Sequence, residues 1–163
     1  MKPTDFKKWL LPGATLTETK YGIPHLFIIA QAALESGWGE HAPGNMLFGV
    51  KDHDGLNGNE QLITTTEFLP TPSAKFPEVM SVVQIMGKKL WKYIVKDWFR
   101  KYNTVDDSLN DHAMVLMATR YKPAFQFKND PYKFADAIAL AGYATDPDYA
   151  GKIKSIIKMI ERL

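Results

Sequence analysis

At 163 residues with 45% apolar side chains, the chain is about one domain long and can bury a real core. Charged residues at 23% and aromatics at 12% exclude a disordered segment, and 20 Lys and Arg against 18 Asp and Glu leave a net charge of only +2, too little to mark a nucleic-acid binder. The absence of cysteine removes disulfides, thiolate metal sites and a Cys nucleophile together.

From Met1 to Ala14 there are lysines but only the short apolar run Trp9-Leu10-Leu11 before Pro12. A secretory signal needs about 7–15 apolar residues and a membrane span about 20. No membrane insertion is expected, and reaching a substrate outside the cytoplasm would take another route or a signal already removed. A first helix is predicted from Thr4 to Leu11 and a second from Ala14 to Tyr21, stopped by Gly22. A third runs from Pro24 to Ser36 and is apolar almost all round, which marks a buried helix. Gln31 and Glu35 are its exceptions. Four residues apart, they share a face, and Gly37 and Gly39 end the helix beyond them.

His41 to Asn59, rich in glycine and polar residues, reads as loop, and Leu62 to Phe68 as a strand. Pro70 and Pro72 make a turn. Val79 to Leu90 is predicted as a short helix and Tyr93 to Tyr102 as a return strand, although Trp91, Ile94, Val95, Trp98 and Tyr102 also fit a helical period. Ser108 with Asp111 resembles a capping box for a helix to Ala118; Asp130-Pro131 and Asp146-Pro147 open two more, the last with Tyr149, Ile153, Ile156, Ile157 and Ile160 on one apolar face. Without internal repeats or linkers, the expectation is one α+β domain, residues 1–163, with a β-rich lobe at about 52–102.

Glu35 is the first candidate for chemistry. Desolvation at the end of an apolar helix raises a carboxyl pKa, and the negative end of the helix dipole pushes the same way, as a general acid requires. A carboxylate emerging into water at a helix end is the commoner reading of this pattern alone. A second carboxylate for glycoside hydrolysis could come from Asp52, Asp54, Glu60, Glu67 or Glu78, of which Glu67 sits on a rigid strand. The acidic loop from Asp52 to Glu60 lacks EF-hand spacing, and the four histidines show no ligand pattern, so no metal and no cofactor are expected. His25, His41, His53 and His112 read as structural or surface residues. Trp38, Phe48, Trp98, Tyr102, Tyr121 and Tyr143 could stack on sugars, although aromatics are mostly core. The basic run of Lys88, Lys89, Lys92, Lys96, Arg100 and Lys101 reads as solvated surface.

The run Ala30-Gln31-Ala32-Ala33-Leu34-Glu35-Ser36-Gly37-Trp38-Gly39 resembles the A-Q-A-x-L-E-S-G-W-G core of the N-acetylglucosaminidases of glycoside hydrolase family 73, which includes the peptidoglycan hydrolase domain of flagellar rod-assembly proteins. Leu47-Phe48-Gly49-Val50-Lys51, Thr64-Thr65-Thr66-Glu67-Phe68, Phe99-Arg100-Lys101-Tyr102, Arg120-Tyr121 and Gly142-Tyr143-Ala144-Thr145-Asp146-Pro147 follow in the family's order. The resemblance implies a lysozyme-like α+β fold and hydrolysis of the β-1,4 bond after N-acetylglucosamine in a peptidoglycan strand, in the periplasm or cell wall. It maps the proton donor onto Glu35, the second carboxylate onto Glu67 and a tyrosine of the catalytic centre onto Tyr143. Gln31, Trp38, Phe48 and Tyr121 are the expected substrate contacts, and a monomer is the default state. Glu67 is expected to act as general base or electrostatic stabiliser, not as nucleophile. The alternatives are cleavage at the muramic acid bond, by hydrolysis or as a lytic transglycosylase, and a glycan-binding module without catalysis. Two departures from the family pattern are Met46, where an Asn usually precedes Leu-Phe-Gly, and a longer stretch from Pro77 to Asp97.

Overall fold

A computed structural model describes all residues, Met1 to Leu163. The elements in order are α1 (Pro3–Tyr21), α2 (His25–Ser36), a 3-10 turn (Pro43–Asn45), β1 (Glu60–Leu69), β2 (Glu78–Gln84) and β3 (Trp91–Arg100). They continue with α3 (Val105–Leu116), a 3-10 segment (Thr119–Phe127), α4 (Pro131–Leu140) and α5 (Tyr149–Glu161). The class is α+β. The chain divides into two compact units, a helical one of Met1–Gly49 with Tyr102–Leu163 and a sheet one of Val50–Lys101. No helix is long and apolar enough to cross a membrane.

In the helical unit α2 packs against α1, α4 and α5. Phe27, Ile28 and Ile29 of α2, Phe134 and Ile138 of α4, and Ile153, Ile157 and Ile160 of α5 are buried, and Phe27 meets Phe134 edge-on at 4.9 Å. Each such burial is worth about 1.5–3 kcal/mol, which outweighs the mediocre helix propensity of β-branched Ile. Where two helices are predicted before Tyr21 there is one, α1, continuous through Pro12. Proline removes a hydrogen bond to the residue four back, here Lys8, and both lie on the exposed side. Phe6, Leu10, Ala14 and Thr17 keep the buried stripe unbroken across the break, and Thr15 Oγ1 donates to Leu11 O at 2.7 Å.

The cap of α3 is Thr104, not Ser108. Thr104 has extended backbone and accepts from the Asp107 N–H at 3.1 Å, while the Asp107 carboxylate accepts from the Thr104 N–H at 3.0 Å. Ser108 is inside the helix, buried, and accepts from the Leu47 N–H at 3.3 Å. Asp130 caps α4 as expected, accepting from the N–H groups of Tyr132 and Lys133. The last helix begins at Tyr149, after the Asp146-Pro147 turn.

The sheet unit is antiparallel with strand order β1-β3-β2. The helix predicted over Val79 to Leu90 is instead β2 and a turn in which the Ile85 N–H bonds to Leu90 O at 2.8 Å. A bulge between Val79 and Ser81 is the cause: Val79 pairs with Val95 and Val82 with Tyr93, so residues three apart share a face and mimic a helical spacing. The stretch from Pro77 to Asp97 is long because it carries this extra strand. The competing helical reading of the 93–102 stretch also falls, since β3 pairs along its length with β1.

Candidate active site

Glu35 closes α2, and the turn after it is unusual. Gly37, Trp38 and Gly39 all have left-handed backbone, with φ of 57°, 58° and 81°. Such a conformation costs a non-glycine residue about 1–2 kcal/mol. The turn is locked by Ser36, whose hydroxyl donates to Ala32 O at 2.6 Å and accepts from the Gly39 N–H at 2.9 Å, and by an edge contact of Trp38 on Phe6 at 5.6 Å. The helix therefore stops dead at the candidate acid.

Glu35 itself reaches solvent, yet the protein crowded around its carboxyl desolvates it and raises its pKa above the carboxylate norm. The Tyr149 hydroxyl, which donates to Glu35 Oε1 at 3.4 Å, pulls weakly the other way. Tyr143 stacks on Tyr149 with ring centres 5.6 Å apart and also touches Tyr121 and His112. Burial, reinforced by neighbouring charge that includes Glu35, pushes the Tyr143 and Tyr149 hydroxyls far above the usual tyrosine range, so both stay protonated.

Behind them lies Gln31, fully buried. Its Nε2 donates to the Tyr149 hydroxyl at 2.7 Å, and its Oε1 meets His112 Nε2 at 2.6 Å. His112 is stacked on Phe48 at 3.7 Å, and burial pushes its pKa down to about 3, so the ring is neutral. Gln31 is thus not placed as a sugar contact, because both ends of its amide are spent inside the protein. Phe48 and Tyr121, at 5% and 1% exposure, are wall and not stacking surface; Trp38 keeps part of its ring accessible. Asn45, one position ahead of Met46, donates to Tyr102 O at 2.9 Å and Asn103 O at 3.2 Å, so an amide still ties this loop down although Met46 is buried.

Glu67 lies in the sheet unit. The register pairs it with Tyr93, on the same face as Asp97 and Phe99. Lys51, whose backbone bridges to Phe99, donates to Glu67 Oε1 at 2.7 Å and to Asp97 Oδ2 at 3.0 Å. Partial burial pulls the Lys51 pKa down, but the bonds and charges of Glu67 and Asp97 outweigh it and hold the ammonium above its ordinary value. No group of three or more His, Asp or Glu is placed to hold a metal ion, and Glu60 spends its carboxylate on the N–H groups of Asn57 and Gly58.

The family model Glucosaminidase, described as mannosyl-glycoprotein endo-beta-N-acetylglucosaminidase, matches residues 11–162. The chain belongs to this glucosaminidase family. It is by class a glycoside hydrolase. Similar proteins include peptidoglycan hydrolase FlgJ of Escherichia coli (strain K12), 33% identical over 172 residues that cover 99% of this chain and 49% of that protein. Exo-glucosaminidase LytG of Bacillus subtilis (strain 168) is 34% identical over 155 residues, 89% of this chain and 47% of that one. The chain thus spans about half the length of the curated relatives it matches. Among solved structures, the glycoside hydrolase domain from Salmonella typhimurium FlgJ has a TM-score of 0.73 at 32% identity, covering 99% of this chain and 90% of that one. A peptidoglycan hydrolase mutant from Sphingomonas sp. A1 has a TM-score of 0.71 at 27% identity, covering 97% and 96%. These matches fix the lysozyme-like glucosaminidase fold.

Two residues that sequence patterns pass over are part of this site. Tyr149 counts there as one member of an apolar stripe, and His112 as a structural or surface residue. The one local signal is that each is a polar side chain on a largely apolar buried face: Tyr149 beside Ile153, Ile157 and Ile160, and His112 beside Leu109, Ala113 and Leu116.

Proposed function

We propose that this chain hydrolyses the glycan of peptidoglycan at the β-1,4 bond following N-acetylglucosamine, within the strand, and so acts in the periplasm or cell wall. The observation that carries the reading is Glu35: a solvent-reaching carboxyl, crowded enough to stay protonated above the usual range, in the glutamate position of the family motif. The FlgJ relatives, named as peptidoglycan hydrolases, supply the substrate class, and the exo-glucosaminidase LytG the sugar. In this reading Glu35 protonates the glycosidic oxygen. Glu67, with one oxygen held by Lys51 and its charge offset, suits a general base or electrostatic stabiliser better than a nucleophile. The N-acetyl carbonyl of the substrate can fill the nucleophile's place. Tyr143 forms the wall of the centre beside Tyr149.

Mass spectrometry of products from purified peptidoglycan tests this. N-acetylglucosamine at new reducing ends of multi-sugar fragments is expected. Muramic acid at the reducing end would mean a muramidase, an anhydro product a lytic transglycosylase, and release of terminal units alone an exo-acting enzyme like the LytG relative. Binding with no products would mean a non-catalytic module.

A further inference from the structure

We infer that Tyr149, oriented by buried Gln31 and His112, is the positioning residue of the proton donor: its hydroxyl occupies Glu35 Oε1, so the transferable proton is carried on Oε2. The inference rests on reading Glu35 as the general acid and adds three residues from helices α2, α3 and α5 to that reading.

The bonds run in one direction. His112 Nε2, Gln31, the Tyr149 hydroxyl and Glu35 Oε1 are linked at 2.6, 2.7 and 3.4 Å. A tyrosine hydroxyl has one proton. Because Gln31 donates to Tyr149, the Tyr149 proton is free for Glu35. The opposite amide orientation of Gln31 would need the His112 proton on Nδ1, which is buried without a partner. An orphaned buried N–H is rarer and costlier than an orphaned acceptor, so the Nε2–H tautomer is the one this site accepts. The Phe48 ring, 3.7 Å from His112, flanks that imidazole.

The long bond to Oε1 has two consequences. Before reaction it leaves Oε2 as the oxygen that carries hydrogen. The proton then leaves Oε2 for the glycosidic oxygen as the bond to the anomeric carbon breaks, and water adding to that carbon releases the proton that restores the carboxyl. In between, Glu35 is a carboxylate, and bonds to a charged acceptor are shorter and stronger than neutral ones. Tyr149 therefore steadies the conjugate base. The groups facing Glu35 are Tyr149 from α5 and Tyr143 from the segment before it; Gln31, on the same helix as Glu35, acts on it through Tyr149, with His112 behind, and Tyr121 and Arg120 stand behind Tyr143.

Tyr149→Phe keeps the ring and removes the donor. Its kcat should fall about 10- to 100-fold, the scale of one bond to a charged group. The donor favours the carboxylate, so its loss raises the Glu35 pKa, and the basic limb of the kcat profile moves to higher pH. Gln31→Leu should move the limb the same way by less, with Gln31→Met as the substitute if that variant does not fold. The double variant Tyr149→Phe/Gln31→Leu should shift no further than Tyr149→Phe, because Gln31 then has no route to the acid. A packing role would lower the melting temperature and leave the limb in place. An unmoved or lowered limb, additive shifts, or a His112 proton on Nδ1 by nitrogen-15 NMR would overturn the inference. Full turnover by Glu35→Gln would instead overturn the underlying reading of Glu35, which separates the two failures.

Discussion

Glu35 is pushed toward its neutral form by crowding and by its place at the C-terminal end of α2, and only Tyr149 resists. Glu35→Gln keeps the shape and removes the proton, so turnover should fall at least about 100-fold with folding intact. Wild-type-like lysis of a cell-wall suspension by that variant would end the assignment. The raised pKa also makes a stability prediction with a definite sign. Folding favours the protonated form, so the penalty is absent below the unfolded value of about 4.3 and builds as pH rises through the folded pKa. The melting temperature of Glu35→Gln should match the parent near pH 4 and exceed it near pH 7; a deficit at pH 7 would show that Glu35 is structural. Glu67→Gln keeps the fold around Lys51 and should impair turnover less than Glu35→Gln, measured on the same substrate. The two carboxylates were legible as candidates because they sit in contiguous motifs. Tyr149 and His112 were not, because their bonds to Gln31 span 118 and 81 residues and leave no local period to read.

The helix that delivers His112 depends on its first turn. Thr104 and Asp107 cap α3 reciprocally, and Thr104→Ala removes one acceptor and the hydroxyl's own 2.8 Å bond to Asp107. The expected cost is about 1 kcal/mol, or about 2–4 °C in melting temperature for a chain of this size. Thr104→Ser should restore most of it, and thermal scans of both variants check the assignment; an unchanged Thr104→Ala would show the cap to be idle. Other elements were legible to different degrees for physical reasons. Helix α2 declares itself because it is apolar almost all round. Helix α1 hides its continuity, since Pro12 reads as a break until its solvent-facing position is known. Strand β2 disguises itself through the bulge, which gives exposed valines a helical spacing that only pairing with β3 corrects. Ser108 is a good cap in isolation, but Thr104 holds the extended backbone that capping needs.

At the scale of the molecule the sheet unit, Val50–Lys101, is an insertion into the helical one. Its two chain ends are closed within their own units. Tyr102 N–H donates to Gly44 O at 2.8 Å on the helical side, and Arg100 N–H to Val50 O at 2.9 Å on the sheet side. The ends left by removing the sheet unit are therefore close neighbours, and a linker of about five Gly and Ser residues, reaching at most about 17 Å, can join Gly49 to Tyr102. The joined helical unit retains the Phe27, Phe134 and Ile157 core and the whole chain from His112 to Glu35. It should unfold cooperatively, keep helical circular dichroism and leave His112 neutral well below pH 6, with its pKa near the value of about 3 that burial sets in the full chain. It should also lose lytic activity completely, because Glu67, Lys51 and Asp97 leave together. The excised sheet should be marginal at best: Leu62, Phe68 and Val83 are 42%, 53% and 60% exposed even in the intact chain, and three strands need a covered apolar face to stand alone. A joined helical unit that still cleaves peptidoglycan would remove Glu67 from the mechanism, and one that fails to fold would show that the helical core depends on the sheet for its stability.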